Sequence, residues 1–268
     1  MNDLLRELAP VSEAAWKAID EEARRTLKGT LAARRLVDFT GPLGWEASAV
    51  NTGRVRRLAE PTAGVEAKLR GVQPLVELRV PFELEREQLE AAGRGAKDPD
   101  LNPVRQAART AGLAEDRAVF HGYAAAGIEG LMQAGKEVTL KLTDDYTAYP
   151  SVVADAVNRL RTNGVHGPYA IALGPRCYSG LTKTTVGGYP VMEHVRRLLD
   201  GPIVWAAGVD GAAVLSQRGG DFELTVGQDF SIGYLEHSAS SVRLYLQESF
   251  TFRVLTPEAA VPLSYAKQ

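Results

Sequence analysis

The chain has 268 residues, which is enough for one large domain or two modest ones with an ample core. Its 31 basic and 33 acidic residues leave a net charge of −2, which argues against a protein whose main task is to bind phosphate backbones. Cys177 is the single cysteine, so no disulfide forms within the chain. With no secretory signal or membrane span recognisable, we expect a cytoplasmic protein.

The first predicted element is an amphipathic helix that begins after Ser12. Ser12 is a suitable N-cap, and Glu13 favours the positive end of a helix. Apolar residues then recur at helical spacing and form one stripe: Trp16, Ile19, Ala23, Leu27 and Leu31. This helix must dock on another surface.

Residues 50–71 are basic and lack a clear core face, which predicts a two-stranded ribbon that needs a partner surface. Residues 76–84 alternate between apolar and polar, as a half-buried strand does. Pro81 within this strand indicates an edge position or a bulge, because proline cannot donate to a ladder.

Asn102-Pro103 predicts the start of a helix that runs toward Gly122, and Ser151 is the predicted cap of a helix that Gly164 ends. Segments 169–173 and 203–207 bracket a helix at 191–199 in a β-α-β-like unit. Strands are predicted at 222–226 and 242–254, the latter with one apolar phase that only Glu248 interrupts. The fold class is α+β.

The sequence shows no clear catalytic or metal-binding constellation. The four histidines share no ligand spacing, and the glycine-rich pieces at 187–190 and 218–221 fit turns better than nucleotide loops. Cys177 beside Arg176 could have a lowered pKa, although a semi-buried structural role is favoured. Glu115-Asp116 is an acidic pair whose side chains should point apart on a helix. A free-standing enzyme is therefore a weak hypothesis, and assembly is favoured over catalysis.

Short pieces along nearly the whole chain resemble the encapsulins, the linocin-like family 1 type, whose shell proteins share the HK97 phage-like capsid fold. These pieces, in order, are Leu8-Ala9-Pro10, Trp16, Arg34 to Asp38 with Gly41-Pro42, Pro74-Leu75-Val76, Glu115-Asp116 with Phe120, Gly167-Pro168-Tyr169, Tyr189-Pro190, Arg218-Gly219-Gly220-Asp221-Phe222, Ser231-Ile232-Gly233-Tyr234 and Val242-Arg243-Leu244. Each piece is weak alone, but their order and spacing are specific.

The resemblance implies an N-terminal luminal helix and the start of the P-domain at 1–48 and an E-loop at 49–73. It further implies a P-domain at 74–134, an A-domain at 135–221, the long P-domain strands at 222–254 and a C-terminal segment at 255–268. Icosahedral closure would need sixty copies or a permitted multiple. The shell would enclose a cargo enzyme, either an iron-oxidising ferritin-like protein or a dye-decolourising peroxidase, docked by its C-terminal targeting peptide.

The resemblance also places the cargo dock. Leu31 and Leu36 would offer apolar contacts, Arg34, Asp38 and Asp229 charge-assisted hydrogen bonds, and Phe230 would complete a pocket. The alternative for Arg34 and Asp38 is a simple pair at the helix end, and both interpretations stay open.

Two further expectations concern the pore and a cofactor. The segment Thr184, Thr185, Val186, Gly187, Gly188 and Tyr189 resembles the lining of the five-fold pore. Some encapsulins hold a flavin against a tryptophan, but the matching position here is Glu87, which has no stacking face. We therefore expect neither flavin nor another cofactor.

The competing hypothesis is a phage-derived capsid that packages nucleic acid. A local basic set motivates it: Arg24, Arg25, Lys28, Arg34 and Arg35. The balanced net charge counts against it.

Overall fold

The computed structural model describes residues 4–266. Seven α-helices lie within this range: α1 Glu13–Thr30, α2 Arg86–Gly93, α3 Asn102–His121, α4 Leu131–Ala134, α5 Tyr149–Thr162, α6 Pro175–Lys183 and α7 Val191–Arg196. The same residues form fourteen strands: β1 Asp38–Thr40, β2 Ala49–Arg57, β3 Lys68–Pro74, β4 Val76–Glu85, β5 Leu140–Leu142, β6 Tyr169–Leu173, β7 Thr185–Val186, β8 Tyr189–Pro190, β9 Ile203–Trp205, β10 Ala212–Ser216, β11 Phe222–Val226, β12 Ser231–His237, β13 Ser241–Val254 and β14 Ala260–Tyr265.

The 14-residue strand β13 is the centre of the first sheet. Strand β4 pairs along one side of it, while β12 and β11 share the other side, and β1 adds to β11 in parallel. The predicted long strand is confirmed. The edge position of Pro81 is confirmed as well, since β4 pairs only with β13 within the described chain.

Helices α1 and α3 pack together on one face of this sheet. The apolar stripe of α1, including Ile19, Ala23 and Leu27, is buried against α3, β4, β12 and β13 in a shared core. The side chain of Ser12 accepts a hydrogen bond from Ala15 N at 3.3 Å, which confirms the predicted cap. Burial of this stripe is the main force that holds α1 in place.

A second sheet, in the order β5-β14-β10-β6-β9, forms a larger core together with α5, α6 and α7. Strands β6 and β9 are parallel, as the β-α-β-like pattern predicts. The predicted helix cap at Ser151 is wrong, because α5 begins at Tyr149 and includes Pro150 in its first turn. A proline is tolerated there, since the first N–H groups of a helix have no partner within the helix. Strand β14, in the segment 255–268, lies inside this sheet between β5 and β10. Residues 267–268, like 1–3, lie outside the described residues.

Strands β2 and β3 form a separate antiparallel ribbon, which confirms the ribbon predicted at 50–71. Its side chains are mostly exposed. Large apolar residues on it, among them Val55, Leu69 and Val72, are about half exposed. Such a ribbon lacks a core of its own and is suited to contact another surface.

Candidate docking groove

A cavity of about 480 Å³ opens between α1 and β12. Its lining comes from the N-terminal segment, one face of α1, the turn after α1, the start of β12 and one residue of β13. The lining residues are Leu4, Arg6, Asp20, Ala23, Arg24, Leu27, Lys28, Leu31, Arg34, Asp229, Phe230, Ser231, Ile232 and Leu246. We call this cavity the docking groove.

Part of the wall of the groove is apolar. Leu27 and Leu31 line it from α1 and its C-cap, Phe230 and Ile232 from the opposite wall, and Leu246 from β13. Leu31 and Phe230 are half-buried, so each presents part of its surface to the groove. A concave apolar surface of this size suits one or two branched or aromatic side chains.

Arg34 closes one end of the groove with a network of ion pairs. Its guanidinium donates to both carboxylate oxygens of Glu115 at 2.6–3.1 Å, to Asp229 at 2.8 Å and to Glu248. The same group lies 5.0 Å from the ring centroid of Phe230. Arg34 is therefore held on several sides, and it orients Asp229 and Phe230 at the rim.

The carboxyl groups behind Arg34 are deeply buried. The side chains of Glu115 and Glu248 have no exposed surface. Burial, and then the neighbouring Glu115, raises the pKa of Glu248 well above its usual range. Burial alone would lower the pKa of Arg34, but Glu115, Glu248 and Asp229 raise it above its ordinary value. Arg34 is thus a permanent cation that neutralises part of a buried acidic cluster.

Asp116 anchors the turn that follows α1. Its carboxylate accepts hydrogen bonds from Ala32 N and Ala33 N at 2.9–3.1 Å. Burial raises the pKa of Asp116 to about 7, although these two backbone N–H groups oppose the shift. Asp116 thereby ends α1 at Thr30 and directs the chain into the short 3₁₀ turn Ala33–Arg35.

Four of the six residues predicted for the dock line this groove together: Leu31, Arg34, Asp229 and Phe230. Leu36 and Asp38 do not. Leu36 is 2% exposed and lies in the larger core. Asp38 accepts a hydrogen bond from Gly220 N at 2.6 Å, next to a separate cavity of about 80 Å³. The chain turns after Thr30 and no longer keeps the face of α1, which separates these two residues from the groove, and their part in docking stays a prediction.

The alternative pair between Arg34 and Asp38 is also absent from the described contacts of Arg34. Arg34 lies beyond the end of α1, so the helical spacing on which that pair depends does not apply. Its donors go instead to Glu115 and Glu248 on α3 and β13, and to Asp229.

Sequence reasoning missed Glu115, Asp116 and Glu248 as parts of the site. Two signals were present: an acidic pair within a helix that otherwise packs alanine and valine, and a glutamate that breaks the apolar phase of β13. Buried carboxylates of this kind need a partner, and an arginine near a helix end is a natural one.

The basic set that motivated the nucleic-acid hypothesis is partly neutralised by carboxylates. Arg25 forms an ion pair with Glu22, and Arg34 forms ion pairs with the buried carboxylates of Glu115 and Glu248. Arg24 and Lys28 line the docking groove, and Arg35 is exposed on the turn that follows.

The segment predicted to line a pore forms an exposed hairpin of β7 and β8. Gly187 and Gly188 have φ values of 59° and 84°, which is the backbone that a two-residue hairpin turn of this hand requires. The side chain of Tyr189 is 63% exposed.

Glu87 and Cys177 both lie outside the docking groove. Glu87 is exposed in the first turn of α2. Cys177 is buried beside the hydroxyls of Tyr149 and Tyr265, and burial raises its pKa rather than lowering it. In the described part of the chain, no group of three His, Cys, Asp or Glu side chains could hold a metal ion, and no helix there is long and apolar enough to cross a membrane.

The two-sheet architecture with its exposed ribbon is the HK97-type capsid fold. A virus-like particle from Pyrococcus furiosus superposes with a TM-score of 0.63 at 17% identity, covering 93% of this chain and 97% of that chain. The capsid of Myoviridae phage XM1 superposes with a TM-score of 0.56 at 11% identity, covering 89% of this chain and 92% of that chain.

Sequence comparison narrows this class to one family. Residues 1–251 match the family described as "Encapsulating protein for peroxidase". The type 1 encapsulin shell protein of Rhodospirillum rubrum is 59% identical and covers 98% of this chain and 96% of the relative. The type 1 encapsulin shell protein of Mycobacterium tuberculosis is 48% identical, covering 99% of this chain and all of the relative. The chain therefore belongs to the encapsulin shell-protein family.

Proposed function

We propose that this encapsulin-family chain assembles into a closed icosahedral shell in the cytoplasm and that the docking groove binds a peptide tail of an enclosed protein. The observation that carries the docking role is the groove itself, in which Leu31, Arg34, Asp229 and Phe230 meet although two of them lie almost two hundred positions from the others.

The chemistry of the groove suits a short peptide. Leu31 and Phe230 would take an aliphatic side chain of the tail, and Asp229, which is 43% exposed, retains a free face for a backbone N–H. Because Arg34 already orients Asp229 and the Phe230 ring, the groove loses little freedom when it binds. Many identical grooves in one shell raise the avidity for an oligomeric cargo.

The exposed ribbon supports assembly. Strands β2 and β3 present half-exposed apolar residues and no core of their own, so a second copy of the chain is the partner that they suit. The exposed β7–β8 hairpin would then lie near a symmetry axis and line a pore with Thr184, Thr185, Val186, Gly187, Gly188 and Tyr189.

The family description names a peroxidase, so a dye-decolourising peroxidase is one candidate cargo and a ferritin-like iron-oxidising protein is the other. The shell subunit itself would have a structural rather than a catalytic role. Because Glu87 is an exposed carboxylate without a stacking face, we propose that the shell holds no flavin at this position.

A reporter experiment tests the docking role. A fluorescent protein that carries the C-terminal tail of a candidate cargo would be co-expressed with the shell, and the reporter content per subunit would be measured in purified particles. We expect Leu31→Asp and Phe230→Ser to form particles and to lose most of the reporter. Leu255→Asp is the control, since Leu255 is half exposed outside the groove. Loading that is the same in all four shells would overturn the proposed dock.

A further inference from the structure

Two buried carboxyl groups, those of Glu115 on α3 and Glu248 on β13, converge on one nitrogen atom of Arg34. The Nη2 atom of Arg34 donates to Glu115 Oε2 at 2.6 Å and also to Glu248 Oε1. Oxygens that accept from the same nitrogen lie less than about 6 Å apart, which is two hydrogen-bond lengths. The two side chains are also in hydrogen-bond contact with each other. This contact requires a proton, because two carboxylates can only accept hydrogen bonds.

The charges around this pair do not balance if every carboxyl group is ionised. Among residues 4–266, Arg34 is the only cation within 4.0 Å of Glu115 or Glu248, and it pairs with Asp229 as well. Asp229 is 43% exposed and accepts a further hydrogen bond from Phe230 N at 2.8 Å, so water and the backbone stabilise its charge. The excess negative charge that water cannot reach therefore lies on Glu115 and Glu248, whose side chains have no exposed surface.

The hydrogen bonds favour Glu248 as the residue that holds this proton. Arg34 donates to both oxygens of Glu115 from Nε and Nη2, which stabilises an ionised carboxylate. Glu248 accepts from Arg34 on Oε1 only, and its Oε2 is buried without a hydrogen-bond partner among the described residues. An ionised Glu248 would leave negative charge on an oxygen that neither water nor a donor reaches. Burial, and then the neighbouring Glu115, raise the pKa of Glu248 accordingly.

The pair lies where the turn that follows α1 meets α3 and β13. Arg34 belongs to the 3₁₀ turn Ala33–Arg35, and its guanidinium links this turn to Glu248 on β13. Asp116 holds the same turn to α3, since it accepts hydrogen bonds from Ala32 N and Ala33 N. A change of charge in the pair therefore acts on the contacts that fix the turn.

The charged groups that face the pair come from three elements. They are Arg34 on the turn, Asp116 on α3 and Asp229 on the segment before β12. On the strand that pairs with β13, the residue opposite Glu248 is Leu78, which carries no charge. One cation thus faces the pair together with two other carboxyl groups, so a second negative charge in the pair has no new cation to compensate it.

We propose that Glu115 and Glu248 share one proton in the folded subunit and that this proton is a latch for the turn after α1. With the proton in place, the pair carries a single negative charge, which faces Arg34. In alkaline solution hydroxide takes the proton and forms water, and the two buried carboxylates repel each other. The turn then separates from β13 and α3, while the second sheet stays folded.

Infrared spectroscopy of purified particles detects the proton, because a protonated carboxyl group absorbs at a frequency that carboxylates lack. The particles carry Asp116→Asn, since burial raises the pKa of Asp116 to about 7 and its own proton would contribute. We expect a protonated-carboxyl band at pH 7 that disappears on titration to alkaline pH. Adding Glu248→Gln should remove the band, whereas adding Glu77→Gln should leave it unchanged, because Glu77 is 46% exposed and its carboxyl group is ionised at pH 7.

Hydrogen–deuterium exchange of the same particles tests the latch. The protection of residues 31–37, relative to an unfolded chain at the same pH, is compared with that of β6 in the second sheet. The pair binds its proton more tightly in the folded chain, so the stability that the proton supplies is lost as the pH rises through the titration of the band. One linked proton changes an opening equilibrium by about tenfold per pH unit, so protection of 31–37 should fall at that rate while β6 stays protected. The amide of Glu248→Gln cannot ionise, and this variant should show no such fall.

Each measurement can overturn one part of the proposal. Asp116→Asn particles without a protonated-carboxyl band at pH 7 would overturn the shared proton, and this result does not depend on the Glu248 variant. A band that titrates while the protection of 31–37 stays constant would overturn the latch. The same pH dependence in particles with and without Glu248→Gln would overturn it as well. Failure of Glu248→Gln to fold would mean that Glu248 must be ionised, which contradicts the assignment of the proton.

Discussion

The replacement Arg34→Met tests the buried ion-pair network behind the groove. Methionine fills much of the same volume but removes the cation that faces Glu115 and Glu248. Both carboxylates have no exposed surface, so they cannot recover water in the folded state. Removing one partner of a buried pair typically costs about 3–5 kcal/mol. We expect the free energy of unfolding of the subunit to fall by about that amount.

This cost is measurable as a thermal shift. For a chain of this length, 1 kcal/mol corresponds to about 2–4 °C, so the unfolding midpoint should fall by about 6–20 °C. Calorimetry of purified particles at a fixed scan rate measures it, with electron microscopy as the check on assembly. The control Lys17→Met removes an exposed cation whose pair with Glu21, 4.0 Å away, lies at the surface, and it should cost less than about 1 kcal/mol.

A compensating variant separates charge from packing. Combining Arg34→Met with Glu115→Gln and Glu248→Gln removes the uncompensated charges. This triple variant should recover more than half of the decrease in the unfolding midpoint that Arg34→Met causes. The account of the network would be refuted if Arg34→Met were as stable as the native shell, or if the triple variant were less stable than the single one. For the same reason, replacing Arg34 together with Asp38 and Asp229 should weaken assembly as well as loading.

Two further predictions concern pH and the exposed hairpin. The raised pKa of Asp116 means that the folded chain holds this proton more tightly than the unfolded chain, so its stabilising contribution is full below about pH 4 and is lost as the pH rises through about 7. The unfolding midpoint of Asp116→Asn should therefore decline less between about pH 4 and pH 7 than that of the native chain. A difference between the native and variant midpoints that stays constant across this pH range would contradict the burial argument. Gly187→Ala places a side chain at positive φ and should lower the unfolding midpoint. Gly29→Ala lies in a helix with open space around it and should raise the midpoint slightly. Scanning calorimetry of both shells measures the two shifts, and shifts of the same sign and size would refute the turn geometry.

Local patterns predicted the elements that positioned the groove. The cap at Ser12 and the stripe of α1 depend on residues close in sequence, and so does the alternation of β4 and β13. These sequence patterns predict the elements correctly because each element must bury one apolar face, and that requirement sets the spacing of its apolar residues. The exposed ribbon was predictable for the opposite reason, since it lacks such a face.

The ion-pair network was not predictable in the same way. Arg34 lies 81 positions from Glu115 and 214 positions from Glu248, and no local pattern joins them. The position of Leu36 and Asp38 outside the groove has a related cause. Asp116, distant in sequence, captures the backbone after Thr30 and turns the chain away from the groove.

The most direct test of shell assembly and docking is electron cryomicroscopy of the purified chain, co-expressed with a reporter that carries the C-terminal tail of a candidate cargo. The account predicts closed icosahedral shells with tail density on their inner face, between α1 and the start of β12, in contact with Leu31 and Phe230. A stable monomer near 28.9 kDa, or tail density outside that groove, would contradict it.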